Sequence, residues 1–231
     1  TTKPFKVCYM GPMFRYEHPQ SGREREFHQI GVEAFGCNNP AIDAEVIAMA
    51  VDLLHHYGLK HLHIALNTLG DRKTKDQYCK ALIDYLEPHF DELSEDSKKR
   101  MHKNPLRVLD SKDPRDQQFV ADAPSILDYL TPEAKQYFDG VKKMLDALGI
   151  KYYVSPDVVR GLDYYNHTIF EIMAKSPVFS HGFTTVLAGG RYNHLVHQLG
   201  GPETPGVGFG MGVERLLLLL KSNHLPFPKP N

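Results

Sequence analysis

Four glycines stand at alternate positions in Gly206-Val-Gly-Phe-Gly-Met-Gly212, and an apolar run from Val213 to Leu220 follows at once. Successive residues of a strand face opposite sides of a sheet, so this strand has one face without side chains, on which a flat ring can lie. The apolar run then reads as a helix with Arg215 in its first turn, where a guanidinium can meet a phosphate. The spacing is not that of the Gly-x-Gly-x-x-Gly dinucleotide fingerprint, and no P-loop sequence occurs in the chain. A nucleotide site here must therefore rest on arginines and a bare sheet.

The remaining segments read by the same periodicities. Residues 5–10 and 27–35 read as strands around a polar loop over 16–26, an antiparallel pair with a long connection. Ile42, Val46, Met49, Ala50, Leu53, Leu54 and Tyr57 fall at helical spacing over 41–57, with Gly58 placed to end that helix. Residues 61–66 alternate as a third strand. Residues 71–149 turn charged and rich in helix formers, with prolines breaking the run. Near its end, Thr131-Pro132 opens and Gly149 closes an amphipathic helix through Tyr137, Val141, Met144, Leu145 and Leu148. Strand character returns at 152–154, 168–173 and 183–188, and a short helix is expected over 192–199. The expected fold is α+β. Its parts are a first sheet segment at 1–70, a helical insertion at 71–149, a second sheet segment at 150–224, and a proline-rich tail or linker at 225–231.

Composition limits the function. The chain has 231 residues, enough for a substantial core, and its 27 Lys+Arg nearly balance 28 Asp+Glu. A chain of that balance is not a basic nucleic-acid glove, so any RNA contact must come from local patches. Three cysteines without a Cys-x-x-Cys spacing argue against a disulfide framework and fit a reducing, cytoplasmic compartment. No apolar stretch reaches the length of a membrane span. The 13 histidines offer no His-Glu-x-x-His and no third ligand placed by spacing, so no metal site is expected.

Three other clusters carry chemistry. Gly11-Pro-Met-Phe-Arg15-Tyr-Glu17 puts an arginine at a strand end, before a loop with Arg23 and Arg25. Guanidinium forks there can reach phosphate oxygens, although an isolated Arg-rich hairpin is more often merely solvated. Arg160-Gly-Leu-Asp-Tyr164-Tyr165 packs a cation, a carboxylate and two phenols into six residues between strands. Ala188-Gly-Gly-Arg191-Tyr192 lets backbone approach a ligand closely, but alone reads as a strand-to-helix turn.

Together these peptides resemble a known family. GPMFRYE with the downstream FHQIGVE is similar to motif 2 of a class II aminoacyl-tRNA synthetase, and GVGFGMGVERLLL to motif 3. VRGLDYYNHTIFE and AGGRYNHLVHQLGG resemble the two signature peptides of histidyl-tRNA synthetases. The resemblance spans essentially the whole chain. It implies a class II catalytic domain: a mostly antiparallel sheet flanked by helices, with a helical insertion. The implied reaction is activation of histidine by ATP, with Mg²⁺, to histidyl-adenylate and pyrophosphate, followed by transfer to tRNA(His).

By that resemblance Arg15 holds the α-phosphate and the histidine carboxylate, and Arg160 approaches the same phosphate from the other side. Arg23 and Arg215 clamp the outer phosphates, making Arg15, Arg160 and Arg215 the implied catalytic residues. Phe27 stacks on adenine over the strand bared by Gly208 and Gly210, and Glu17 lies near the base. Glu33 and Tyr165 read the imidazole, with Gln29 and Tyr164 helping to hold histidine. Lys98-Lys99-Arg100 and Lys103 are candidates for the tRNA acceptor stem, or else a solvated helix face.

The family's motif 1 and its anticodon-binding domain have no counterpart in these residues. The expectation is a catalytic-core fragment with impaired activity, from a parent that is a homodimer; the fragment itself could be a monomer. The alternatives are a non-catalytic paralogue, such as the regulatory subunit of an ATP phosphoribosyltransferase or the sensor domain of a starvation kinase, and a plain RNA-binding module. The joint presence of Arg15, Arg160, Arg215, Glu33 and Tyr165 favours catalytic ancestry, and the balanced charge argues against the RNA module.

Overall fold

The computed structural model describes residues 2–16, 24–159, 162–175 and 183–226. Among these residues seven strands form one sheet: β1 (Phe5–Phe14), β2 (Glu26–Phe35), β3 (Leu62–Thr68), β4 (Tyr153–Val154), β5 (Asn166–Lys175), β6 (Phe183–Arg191) and β7 (Gly206–Gly212). Their order is β1-β2-β7-β6-β5-β3-β4, and every pairing is antiparallel except the short β3–β4 contact. This is the α+β class II arrangement the sequence implies. Strands β1 and β2 both run further than their apolar cores, because Phe14 pairs with Glu26 and so continues the ladder into the expected loop.

The helices are α1 (Pro40–His56), α2 (Arg72–Leu86), α3 (Glu95–Lys103), α4 (Pro114–Val120), α5 (Pro132–Ala147), α6 (Leu195–Gln198) and α7 (Val213–Ser222). Their starts follow from capping chemistry. Asn39, Asp71, Ser94, Asp113 and Thr131 each accept a backbone N–H of the helix they open. Helix α1 stops where Gly58 takes a positive φ of 88°. The short helix expected over 192–199 is only the single turn α6, because β6 runs on to Arg191.

The two faces of the sheet are covered differently. In β2 the even residues Ile30, Val32 and Ala34 face helices α1, α5 and α7, together with Val207, Phe209 and Met211 of β7. That cluster includes Leu54, Phe138, Leu145, Leu216 and Leu219, all buried. On the opposite face a second cluster packs Ile169 of β5 with Leu82, Leu86, Met101 and Val108 from the helical stretch after Gly70. Thus residues 72–130 pack mainly on the second face, while α5, from the same charged stretch, packs on the first.

Within the helical stretch the charge clusters neutralise themselves. The fully buried Asp116 accepts from the hydroxyls of Ser94 at 2.7 Å, Ser97 at 2.6 Å and Ser111 at 2.5 Å, and from the Ser94 N–H at 2.8 Å. Burial alone would raise its pKa, but these four donors hold it below the usual carboxylate range. In α3, Lys98 meets Glu95 at 3.0 Å and Arg100 meets Asp96 at 2.5 Å, so two of the four basic residues read as an acceptor-stem contact or a solvated face carry a counter-charge on their own helix.

Candidate active site

Alternation along β2 sends Phe27, Gln29, Gly31, Glu33 and Phe35 to the face away from α1. Register sets them beside the bare positions of β7: Gln29 opposite Gly212, Gly31 opposite Gly210, Glu33 opposite Gly208 and Phe35 opposite Gly206. Ala188 and Gly190 of β6 extend the same low floor, paired with Gly210 and Gly208. Above this floor lies a cavity of about 400 Å³. Gln29, Glu33, Tyr164 and Tyr165, four expected histidine-binding residues, all line it.

The floor does not stay bare, as the alternating glycines alone would suggest. A Cβ at Gly208 would overlap the Glu33 carboxylate, and one at Gly210 would overlap the Gln29 amide. Likewise, the Tyr9 ring lies over Gly31 and the Tyr192 ring over Gly206. The glycines therefore make room for neighbouring polar side chains to lie flat across the strands. A flat ligand over Gly208 and Gly210 meets Glu33 and Gln29 before it meets backbone.

Glu33 is the electrostatic centre of the cavity. The Tyr192 hydroxyl donates to its Oε2, and the Tyr9 hydroxyl donates to Oε1 at 3.4 Å. Burial pushes the Glu33 carboxyl above the usual carboxylate range even though both phenols pull it down. Burial and the Glu33 charge together push the Tyr9 and Tyr192 phenols up, so both remain donors at neutral pH. Tyr164, Tyr165 and Tyr192 pack ring against ring, with Tyr164 and Tyr165 centroids 4.5 Å apart. Sequence reasoning missed Tyr9 and left Tyr192 without a role. The signal for Tyr192 was present in its adjacency to Gly189-Gly190; Tyr9 carried none, since its partner Glu33 is 24 residues away.

Two of the expected phosphate-binding residues, Arg15 and Arg215, lie at the other end of the same strands. Arg15 follows the last β1 residue, its backbone N–H bonding Arg25 O at 2.9 Å. Arg215 lies three residues beyond Gly212, which shares the partner Gln29 with Gly11. Arg15 and Arg215 thus occupy one end of the adjacent strands β1, β2 and β7. The Arg15 guanidinium sits 3.7 Å from the Phe27 ring centre and donates from Nε to Glu24 O at 2.8 Å. Arg215 donates from Nη1 to Thr185 O at 2.8 Å. Beside them, Glu214 accepts the His28 N–H at 2.9 Å and meets His28 Nδ1 at 2.7 Å. Burial alone would raise the Glu214 pKa, but these bonds to His28 bring it below its ordinary value.

Glu17, Arg23 and Arg160 lie outside the described residues. Among the described residues, no group of three or more His, Cys, Asp or Glu side chains gathers to hold a metal ion. No helix among them is long and apolar enough to cross a membrane.

Comparison with known proteins agrees with this geometry. A family model described as histidyl-tRNA synthetase matches residues 1–216. The chain is 69% identical over 228 residues to a histidine–tRNA ligase of Levilactobacillus brevis and 67% identical over 226 residues to one of Lactiplantibacillus plantarum. These alignments cover 99% and 98% of this chain but 53% of each relative, so the chain spans about half the length of the curated relatives it matches. The crystal structure of apo S. aureus histidyl-tRNA synthetase superposes with a TM-score of 0.80 at 41% identity, covering 98% of this chain and 53% of that one. A glycine-floored cavity lined by a half-buried carboxylate, and two arginines at the far end of the same strands, therefore sit in a chain that belongs to the histidyl-tRNA synthetase family.

Proposed function

We propose that this chain is the catalytic core of a histidine–tRNA ligase. It activates histidine with ATP to histidyl-adenylate and pyrophosphate, then passes the histidyl group to tRNA(His). The single observation that carries this reading is the Glu33 carboxylate, held by Tyr192 and Tyr9 in a cavity shared with Gln29, Tyr164 and Tyr165. An imidazole offers N–H donors, and a half-buried acceptor carboxylate answers one of them. A ligand without that donor leaves an acceptor position of the Glu33 carboxylate unmet beyond Tyr192 and Tyr9, which is how a polar pocket discriminates strongly.

The chemistry needs charge neutralisation and alignment. An oxygen of the histidine carboxylate attacks the α-phosphorus, and the bond to the bridging oxygen breaks to release pyrophosphate. Two anions must approach, so guanidiniums aimed at the reacting phosphate supply the stabilisation. Arg15 and Arg160 are assigned to that phosphate, Arg23 and Arg215 to the outer phosphates, and Phe27 and Glu17 to the adenine. Mg²⁺ fits as an ion carried in by the triphosphate, with phosphate oxygens and water as its main ligands. In the second step the terminal ribose hydroxyl of tRNA attacks the histidyl carbonyl and AMP leaves.

The names of the curated relatives support this reading over a non-catalytic paralogue. A homodimeric parent, and a helical insertion that meets the acceptor stem, belong to the same proposal. Histidine-dependent ATP–pyrophosphate exchange by the full protein tests it. Arg160→Ala is expected to lower the exchange rate about a hundredfold or more, the scale of one lost charge-assisted contact in the transition state. An unchanged rate in that variant would refute the role given to Arg160, and no histidine-dependent exchange in the wild type would refute the reading.

A further inference from the structure

Beneath the floor of the cavity lies a buried ion pair that the proposed reaction does not use. Asp43 of α1 and Arg191, the last residue of β6, are both fully buried. Arg191 Nε donates to Asp43 Oδ1 at 3.0 Å, and its Nη2 donates to the same carboxylate. Its remaining nitrogen, Nη1, donates to Cys37 O at 3.1 Å and to Asn193 Oδ1 at 3.0 Å. The Asp43 carboxylate also accepts from Thr168 Oγ1 at 2.6 Å and from the Tyr137 hydroxyl at 3.3 Å. Tyr137 in turn lies against the Arg191 guanidinium, 5.4 Å from ring centre to Cζ.

The placement of these contacts is specific. Alternation puts Arg191 on the helix-covered face of β6, and Tyr192, the next residue, on the cavity face. Cys37 lies four residues after Glu33, and Asn193 directly follows Tyr192. One guanidinium therefore grips the two chain segments that carry the two halves of the Tyr192–Glu33 hydrogen bond. Asp43 anchors that guanidinium to α1, against the main core. A buried ion pair is weak evidence for stability, because desolvation offsets most of its attraction. Its geometry here instead fixes one segment relative to another.

We propose that Arg191 and Asp43 are positioning residues for recognition of the imidazole. They act from under the sheet by holding the Tyr192 hydroxyl and the Glu33 carboxylate in register, and neither touches substrate. The inference rests on the cavity being the histidine site. It predicts a selective effect: histidine binding depends on the pair, and ATP binding at the far end of the strands does not.

Two variants of the full protein test it in histidine-dependent pyrophosphate exchange, with folding checked by thermal melting. Arg191→Lys keeps the charge but has too few fixed donors to reach Asp43, Cys37 and Asn193 together. The double variant Asp43→Asn with Arg191→Met removes both charges, so no unpaired ion is left buried. In both, the KM for histidine is expected to rise about tenfold or more while the KM for ATP stays within about twofold, since only orientation in the histidine cavity is lost. A wild-type KM for histidine in either folded variant overturns the inference, as does an equal rise for both substrates. Failure of both variants to fold also overturns it, because the pair then serves only the fold. Absence of histidine-dependent exchange in the wild type is a separate result, which removes the reading of the cavity itself.

Discussion

The Arg15 guanidinium lies over the Phe27 ring, with 3.7 Å between its Cζ and the ring centre. The cation covers one face of the Phe27 ring, so an adenine stacked on Phe27 uses the other face. Phe27→Ala is expected to raise the KM for ATP about tenfold, within the ~1–3 kcal/mol of one base-stacking contact. Steady-state pyrophosphate exchange with ATP varied at saturating histidine measures it. A KM for ATP that does not move removes Phe27 from the adenine site.

Glu33 is held protonated to higher pH in the folded chain than in the unfolded one, because burial disfavours its charge. A raised carboxyl pKa means the folded state binds the proton more readily, so stability falls as pH rises through the folded pKa. Glu33→Gln removes that penalty while leaving an oxygen to accept from Tyr192. The variant should melt higher than wild type at pH 7–8, with the gain fading below the pKa of an unfolded glutamate, about 4.3. Its use of histidine should fall sharply. Melting curves across pH decide the first part, and a gain that grows toward acid would show the sign to be wrong.

Asp116 accepts four hydrogen bonds from three serines in the helical stretch, away from both ends of the cavity. Asp116→Ala leaves those donors buried without an acceptor, and the loss should be about 3 kcal/mol or more, read from urea unfolding. The depressed pKa of Asp116 also gives a pH sign: its stabilisation is present above the unfolded pKa and lost as pH falls through the folded one. An Asp116→Ala protein with wild-type stability would mean that this network contributes nothing.

Gly208 and Gly210 should respond differently to alanine. At Gly208 the added Cβ meets the Val32 carbonyl oxygen as well as the Glu33 carboxylate, and backbone cannot step aside. At Gly210 the nearest atoms are those of the Gln29 amide, the far end of a flexible side chain. Gly208→Ala is expected to destabilise the β2–β7 ladder and abolish activity, whereas Gly210→Ala should fold and mainly weaken substrate binding. Circular dichroism melts combined with exchange kinetics separate the two outcomes.

Much of this architecture was legible from local pattern. Strands β2 and β7 and helices α1, α5 and α7 follow from period, helped by Gly58 at the end of α1 and by Thr131-Pro132 and Gly149 around α5. Gln29, Glu33, Tyr164 and Tyr165 were expected together from the family resemblance rather than from local pattern, and they share one cavity. Less legible were relationships made across the sheet. The glycine strand predicts an empty surface, but only the register with β2 reveals that Glu33 and Gln29 fill it. The Asp43–Arg191 pair spans 148 residues, and nothing within a helical turn or a hairpin announces it. The basic run of α3 read equally as an acceptor-stem contact or a solvated face, and two of its members, Lys98 and Arg100, pair with Glu95 and Asp96 of the same helix.

The alternation of β2 has a consequence for sequence change. Its odd positions furnish the ligand chamber and its even positions furnish the hydrophobic interior, so each depends on the parity of the other. Inserting or deleting a single amino acid between Phe27 and Phe35 would exchange the two sets, exporting Val32 to the chamber and driving Glu33 into the interior. Tolerated indels must therefore fall at the strand's ends or come in pairs.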